Sequence, residues 1–332
     1  MLMKNSNQDP PDKDLKPNGS TGGPRNFTVH IPRSYIVKFG KLVGICLYFF
    51  DVPHRRLVRR NLRFCFPEWS RARINNLSQR IFKNAGITVL EILHCAFISH
   101  KDLSGMFRFA SGEEHLVNTI RNDHKGVVFI SCHIGNWEAG LQFLGCYSTK
   151  PLSVVVRNVG YRWVDNFLEH IRTRFGNKVI LKKEAWQKMV QTLRNREALM
   201  VTIDQSRYKQ AVEVMLFNRK ATATPAIAMA ALRCRCPVLP LFCVREADGT
   251  QAIHVHPPID MQRTSDLKND LQVNTQKLVA VMEDMINRFP DQWIWFQRPW
   301  KKNYPDLYPE WEAKRQKRKR KKLKNSKTSV SL

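Results

Sequence analysis

The sequence predicts an α/β domain, a mainly parallel sheet flanked by helices, behind an N-terminal helical region. Three observations point there. Short apolar runs rich in β-branched residues, such as Val127–Cys132, Leu152–Val156 and Ala198–Ile203, are bounded by turn residues and read as buried parallel strands. Between them lie segments with helical spacing of apolar positions, such as Trp137–Gly145 and Tyr161–Phe175, and regular strand–helix alternation favours a parallel sheet with helices on both faces. Finally, no internal repeat or linker breaks the body, so one large core or two modest ones fit the 332 residues.

Taken in order, residues 1–33 are polar and rich in Pro, Asn, Gly and Asp, and read as a disordered segment without a cleavable signal peptide. Residues 34–105 read as helices: Val37–Phe50, Leu57–Phe64 and Arg71–Leu93. Tyr35–Phe50 is apolar but interrupted by Lys38 and Lys41 and followed by Arg55, Arg56, Arg59 and Arg60. It is shorter than a comfortable membrane span. It fits an interfacial anchor on an anionic leaflet, or else a buried N-terminal helix. The catalytic core is expected over 113–300. It begins with helix Glu113–Asn122, strand Val127–Cys132, helix Trp137–Gly145, strand Leu152–Val156 and helix Tyr161–Phe175. Strand Lys178–Leu181, helix Trp186–Arg194, strand Ala198–Ile203 and an Asp204-Gln205 loop follow. Helix Thr224–Arg233, strands Val238–Val244 and Ile253–His256, and helix Leu267–Arg288 complete it. The single folded domain is expected to run from 34 to 305, with 306–332 a basic disordered tail.

The net charge of +27 is unusual. About nine positive charges fall between Lys314 and Lys324, and roughly +18 remains on the body. Such a surface suits nucleic acid, an anionic membrane or an acidic protein. A nucleic-acid-binding or membrane-surface protein without catalytic activity is therefore the rival reading. No helix-turn-helix, RRM or KH signature accompanies the charge, so no nucleic acid is expected. The eight cysteines sit mostly in apolar context, and Cys234-Arg235-Cys236 lacks a second pair at zinc-finger spacing. Free thiols in a reducing compartment, and no metal, are expected.

Chemistry concentrates at His133-Ile134-Gly135-Asn136-Trp137-Glu138. It follows a strand, Gly135 permits a tight turn and Asn136 suits a helix N-cap. The turn lets Glu138 swing back onto His133, fixing its tautomer and freeing the other ring nitrogen to take a proton from a bound alcohol. Taken alone, a histidine and glutamate at this spacing are common, and a core histidine beside an unrelated surface glutamate is the plain alternative. Arg157 and Asp204 also follow apolar runs, at the carboxyl ends of their expected strands. If those strands are parallel neighbours, a base, a cation and a carboxylate converge where open α/β sheets bind ligands. No G-x-S-x-G elbow is present, which weakens a serine hydrolase reading.

His133 to Glu138 closely resembles the HxGNWE motif of the bacterial lipid A biosynthesis acyltransferases, which add secondary fatty acyl chains to a lipid A precursor. Further segments are similar in the family's order over roughly 40–305. They are Asn61–Glu68, Val156-Arg157 with Asp165, Arg172, Arg174 and Gly176, Asp204-Gln205, Phe217–Ala231 and Asp291–Phe296. The resemblance implies a glycerol-3-phosphate-acyltransferase-like fold and an O-acyltransferase at the cell inner membrane. It would sit on the cytoplasmic face, peripheral or monotopic through the N-terminal helix. The implied co-substrate is an acyl thioester of acyl carrier protein or CoA, with no other cofactor. The acceptor is a hydroxyl of a lipid A precursor or related lipid. His133 is then the general base oriented by Glu138. Arg157 steadies the oxyanion or a phosphate, and Asp204 orients Arg157 or a substrate group. Asn136, Arg172, Arg174 and Gln205 are candidates for substrate binding. Trp293, Trp295, Phe296 and Trp300 either line an acyl groove or pack in the core. Asn218, Pro225, Gln297 and Pro299 depart from the family pattern, and are expected to bear on specificity while leaving the catalytic edge alone.

Overall fold

The computed structural model describes residues 31–110, 116–117, 125–147, 150–182, 184–206, 210–313 and 315–317. The expected disorder of 1–30, most of helix Glu113–Asn122 and the tail beyond 317 lie outside the described residues. The chain opens with α1 (Arg33–Phe50), α2 (Val52–Cys65), α3 (Arg71–Cys95) and α4 (His100–Met106), then β1 (Phe107–Phe109). The core follows as β2 (Val127–Ser131), α5 (Trp137–Tyr147), β3 (Leu152–Val156), α6 (Arg162–Thr173), β4 (Lys178–Leu181), α7 (Ala185–Arg194) and β5 (Ala198–Thr202). It is completed by β6 (Val212–Leu216), β7 (Arg219–Ala223), α8 (Ala226–Cys234), β8 (Val238–Arg245), β9 (Gln251–Val255) and α9 (Leu267–Arg288).

Seven strands form one sheet in the order β1-β9-β8-β2-β5-β3-β4. All neighbours are parallel except β8 and β9, which a short turn joins as a hairpin. β2 is buried along its whole length, as its unbroken apolar run requires. Alternate residues feed two cores. Val128 and Ile130 face α9 and the C-terminal tryptophans, while Val127 and Phe129 face the side of α5. The expected mainly parallel α/β architecture is therefore present.

The hairpin β6–β7 and the pair α4–β1 were not anticipated. The hairpin turns at Phe217 and Asn218, with φ +52° and +55°, the left-handed pair that a two-residue turn needs and that asparagine tolerates.

α1 buries Ile36, Gly40, Gly44 and Tyr48, one face at four-residue spacing. The glycines let it lie directly on α3: a Cβ on Gly44 would collide with the Phe82 carbonyl oxygen. Its opposite face leaves Tyr35, Phe39, Leu42 and Phe49 exposed, with Phe50 84% exposed at its end. Among the described residues no helix is long and apolar enough to cross a membrane.

The folded body extends past the expected boundary at 305. Tyr308 is fully buried, and its hydroxyl donates to Asn61 Oδ1 at 2.8 Å. The Asn61 amide in turn holds the carbonyls of Trp295 and Gln297. An aromatic residue after a proline-broken stretch carries no periodic signal, which is why the tail assignment began too early.

Candidate active site

β5 lies between β2 and β3, parallel to both, with Ser131 opposite Thr202. The carboxyl ends of the three strands therefore share one sheet edge, and His133, Arg157 and Asp204 emerge together. Gly135 makes the turn after β2 with φ +54°, pressed so close to the Cys243 carbonyl that no side chain fits. Asn136 then caps α5, its Oδ1 accepting from the Ala139 amide at 3.1 Å.

The partner of His133 is Asp204. Its Oδ1 lies 2.7 Å from His133 Nδ1, and its Oδ2 accepts the His133 backbone amide at 2.9 Å. Trp293 Nε1 also donates to Oδ2, at 2.9 Å. Gln297 Nε2 sits 3.3 Å from His133 Nδ1 and 3.4 Å from Asp204 Oδ2. Burial pushes the imidazole pKa down, but the Asp204 charge and hydrogen bond outweigh it and hold His133 above its ordinary value. Burial pushes Asp204 up, but the His133 charge, its hydrogen bonds and the Trp293 indole leave its carboxyl below the ordinary range. With Nδ1 occupied by a carboxylate, Nε2 is the nitrogen left for a substrate proton.

Glu138 does not orient His133 as expected. In the first turn of α5 its carboxylate faces α6 and takes both Arg172 Nε (3.0 Å) and the Arg172 Nη2 donor. Glu138 acts on His133 through space only, adding to the forces that favour the imidazolium. Local spacing suggested a bond that the helix geometry withholds, and the sheet supplies the carboxylate from a strand seventy residues on.

His133, Glu138, Arg157, Arg172 and Gln205 line one pocket of about 700 Å³. Its polar rim continues at Lys182, while Leu141, Val154, Met189, Met200 and Ile227 line it with apolar surface. Arg157 is exposed at this rim. Lys301 lies near it, held below the ordinary lysine value by burial first and then by Arg298 and Arg157. Two substrate-binding candidates fall elsewhere. Arg174 donates to the Cys95 carbonyl at the end of α3, and Asn136 is wholly buried as a cap. Trp293, Trp295 and Trp300 are fully buried core residues, so of the two readings offered by the sequence the core one holds.

The sequence of the chain matches the family model for bacterial lipid A biosynthesis acyltransferases over residues 26–302. The chain belongs to this family. It is 23% identical to the lipid A biosynthesis lauroyltransferase of Escherichia coli over 284 residues, 83% of this chain and 88% of the relative. It is likewise 23% identical to the lipid A biosynthesis myristoyltransferase of Escherichia coli over 267 residues, covering 77% and 80%. A lipid A biosynthesis acyltransferase of Haemophilus influenzae is 22% identical over 274 residues, covering 81% and 83%. As a member of this family the chain is an O-acyltransferase.

Sequence reasoning passed over two residues of this acyltransferase's site. Trp293 was read as lining an acyl groove or packing in the core, not as a donor to Asp204, and Gln297 only as a departure remote from the catalytic edge. Gln297 touches both members of the dyad, so that departure does not leave the edge alone. Among the described residues no cluster of His, Cys, Asp and Glu has the arrangement of a metal site.

Proposed function

We propose that this acyltransferase moves a fatty acyl chain from an acyl thioester to a hydroxyl of a lipid A precursor or related glycolipid. The observation that carries the reading is the His133–Asp204 pair opening into a half-apolar, cation-rimmed pocket. His133 Nε2 takes the acceptor proton as the hydroxyl attacks the thioester carbonyl, and Asp204 fixes the tautomer and steadies the imidazolium. Negative charge then develops on the carbonyl oxygen. Arg157 or Arg172 at the rim stabilises it, or binds a phosphate of donor or acceptor. The tetrahedral intermediate collapses by expelling the thiolate, which the imidazolium protonates. Glu138 holds Arg172 at the pocket, and Gln205 contributes a polar contact at the mouth. The apolar walls suit the acyl chain.

The donor is acyl carrier protein or CoA: a basic body suits an acidic carrier, and a cationic rim suits the phosphates of either. The exposed apolar face of α1, which lines an apolar groove together with Leu90, Leu93 and Phe97, supports peripheral or monotopic attachment to the cytoplasmic face of the inner membrane. Arg56, Arg59, Arg60 and Arg63 form a cationic patch on α2, suited to anionic headgroups. The overall arrangement is compatible with a glycerol-3-phosphate-acyltransferase-like fold.

Mass spectrometry of total lipids from cells with and without the protein tests the reading. One added acyl chain on a glycolipid is expected. No change in any lipid while purified protein also fails to consume acyl thioester would overturn it.

A further inference from the structure

The turn that carries His133 rests on a buried charge unrelated to the dyad. Glu91, wholly buried on α3, accepts from Arg245 Nε at 3.2 Å and Nη2 at 2.5 Å. Gln251 Nε2 donates to both of its oxygens at 3.1 Å. Asn136 Nδ2 donates to Oε2, also at 3.1 Å. The guanidinium of Arg33, in the first turn of α1, stands 3.5 Å away.

The same group reaches the turn by a second route. Arg245 Nη2 donates to Thr88 Oγ1 at 3.2 Å, and that hydroxyl donates to the Gly135 carbonyl at 3.0 Å. A third contact runs through Gln292. Its side chain brackets the Arg245 backbone, with bonds of 2.8 and 2.7 Å, and its carbonyl accepts the Gly135 amide at 3.1 Å. Gly135 and Asn136 are thus both gripped from the Glu91 side, two and three residues after His133.

We propose that Glu91 is a positioning residue for His133: its buried carboxylate, through Asn136 and through Arg245 and Thr88, fixes the turn that aims the imidazole at Asp204. The physical case is asymmetry of cost. A carboxylate with no exposure is retained only when its hydrogen bonds are filled, and here one of them goes to the residue that starts α5. Asn136 uses its two ends oppositely, oxygen to cap the helix and nitrogen to Glu91. Rotating it to suit one partner loses the other. The direction of α5, which carries Trp137 and Glu138 to the pocket, and the seat of His133 are therefore set together. Charge-assisted bonds are stronger than neutral ones, so a neutral residue at 91 loosens this grip.

This inference rests on His133 being the base, so its test reads the imidazole as well as the reaction. Full-length protein in detergent, labelled at histidine 13Cε1, is titrated by NMR, with the His133 signal identified by its loss in His133→Ala. Glu91→Gln, checked for fold by circular dichroism, is expected to lower kcat on the order of 10–100-fold with the donor KM within about twofold. It is also expected to move the His133 midpoint down toward the ordinary value. Thr88→Val, an isosteric change that leaves the charge pair intact, covers the case that Glu91→Gln does not fold. It should lower kcat at least about threefold and shift His133 in the same direction. If the folded variants keep both kcat and the His133 midpoint, the proposal is overturned. A His133 midpoint that moves as expected in a protein without transferase activity upholds the positioning role and overturns the acyl-transfer reading instead.

Discussion

Asp204→Asn is the perturbation that weighs most on the assignment of the dyad. Asp204 is almost wholly buried and receives four donors, the His133 amide, the His133 ring, the Trp293 indole and, at 3.4 Å, the Gln297 amide. An asparagine offers one acceptor oxygen in place of two, so at least one of these donors meets an NH2 group. The neutral amide also cannot steady an imidazolium, and it favours the tautomer with the proton on Nε2, where none is wanted. Loss of general-base function costs roughly 10²–10⁴-fold in rate, about 3–5 kcal/mol of barrier. A mismatched buried donor adds about 1–3 kcal/mol of lost stability. The assay is steady-state transfer of a labelled acyl group from its thioester to a detergent-dispersed glycolipid, with thermal melting run in parallel. We expect kcat to fall by at least about 10²-fold in protein that remains folded at the assay temperature. If Asp204→Asn works within about threefold of wild type while Glu138→Gln is dead, the orienting carboxylate is Glu138 and the reasoning fails.

Other outcomes follow from the same geometry. The raised His133 pKa places the acid limb of kcat/KM above the ordinary value of 6.5, since only the neutral imidazole takes a proton; Asp204→Asn should move that limb down. Stability runs the other way, because a raised folded pKa contributes stability below 6.5 that is lost as pH rises through it. The acid loss of rate should therefore come without a fall in melting temperature, and a melting temperature that tracks the rate would contradict this. Cys46 is exposed on α1 while the other described cysteines are buried or half-buried. A charged maleimide should label it in detergent, and vesicles containing anionic lipid should protect it; equal labelling in both would remove α1 from the membrane. Deleting 305–332 strips Tyr308 from the core and leaves the Asn61 Oδ1 without its donor, for a loss of about 3–5 kcal/mol. Deleting 318–332 alone should leave melting and detergent-phase turnover unchanged, and equal damage from both would refute the boundary.

What could be read from the sequence was the part governed by local pattern. Val127–Ser131, Leu152–Val156 and Lys178–Leu181 stand out because buried parallel strands are continuous apolar runs, and the helices between them keep their spacing. The convergence of His133, Arg157 and Asp204 was also legible, since strands running the same way must present their carboxyl ends at one edge. Which carboxylate meets the imidazole was not. That depends on β5 lying beside β2 in a particular register, a fact of sheet order that no spacing encodes. Glu138 was the nearer candidate along the chain, but α5 turns it toward Arg172. β6 and β7 escaped because Arg, Lys and Glu interrupt their runs and their turn is Phe-Asn, without glycine. The role of Glu91 was invisible for a similar reason: a lone glutamate in a long helix reads as solvated, and its partners Arg245, Gln251 and Asn136 come from distant parts of the chain.

The most direct test of the account is the turnover of His133→Ala in purified, folded protein with acyl thioester and glycolipid acceptor. The account predicts a loss of roughly 10²–10⁴-fold, because the general base is removed. Removing the ring takes a partner from the buried Asp204 carboxylate and should lower the melting temperature, so turnover is compared at a temperature where the variant is folded. Turnover within about tenfold of wild type would show that the proton is taken elsewhere, and the His133–Asp204 pair would then be structural.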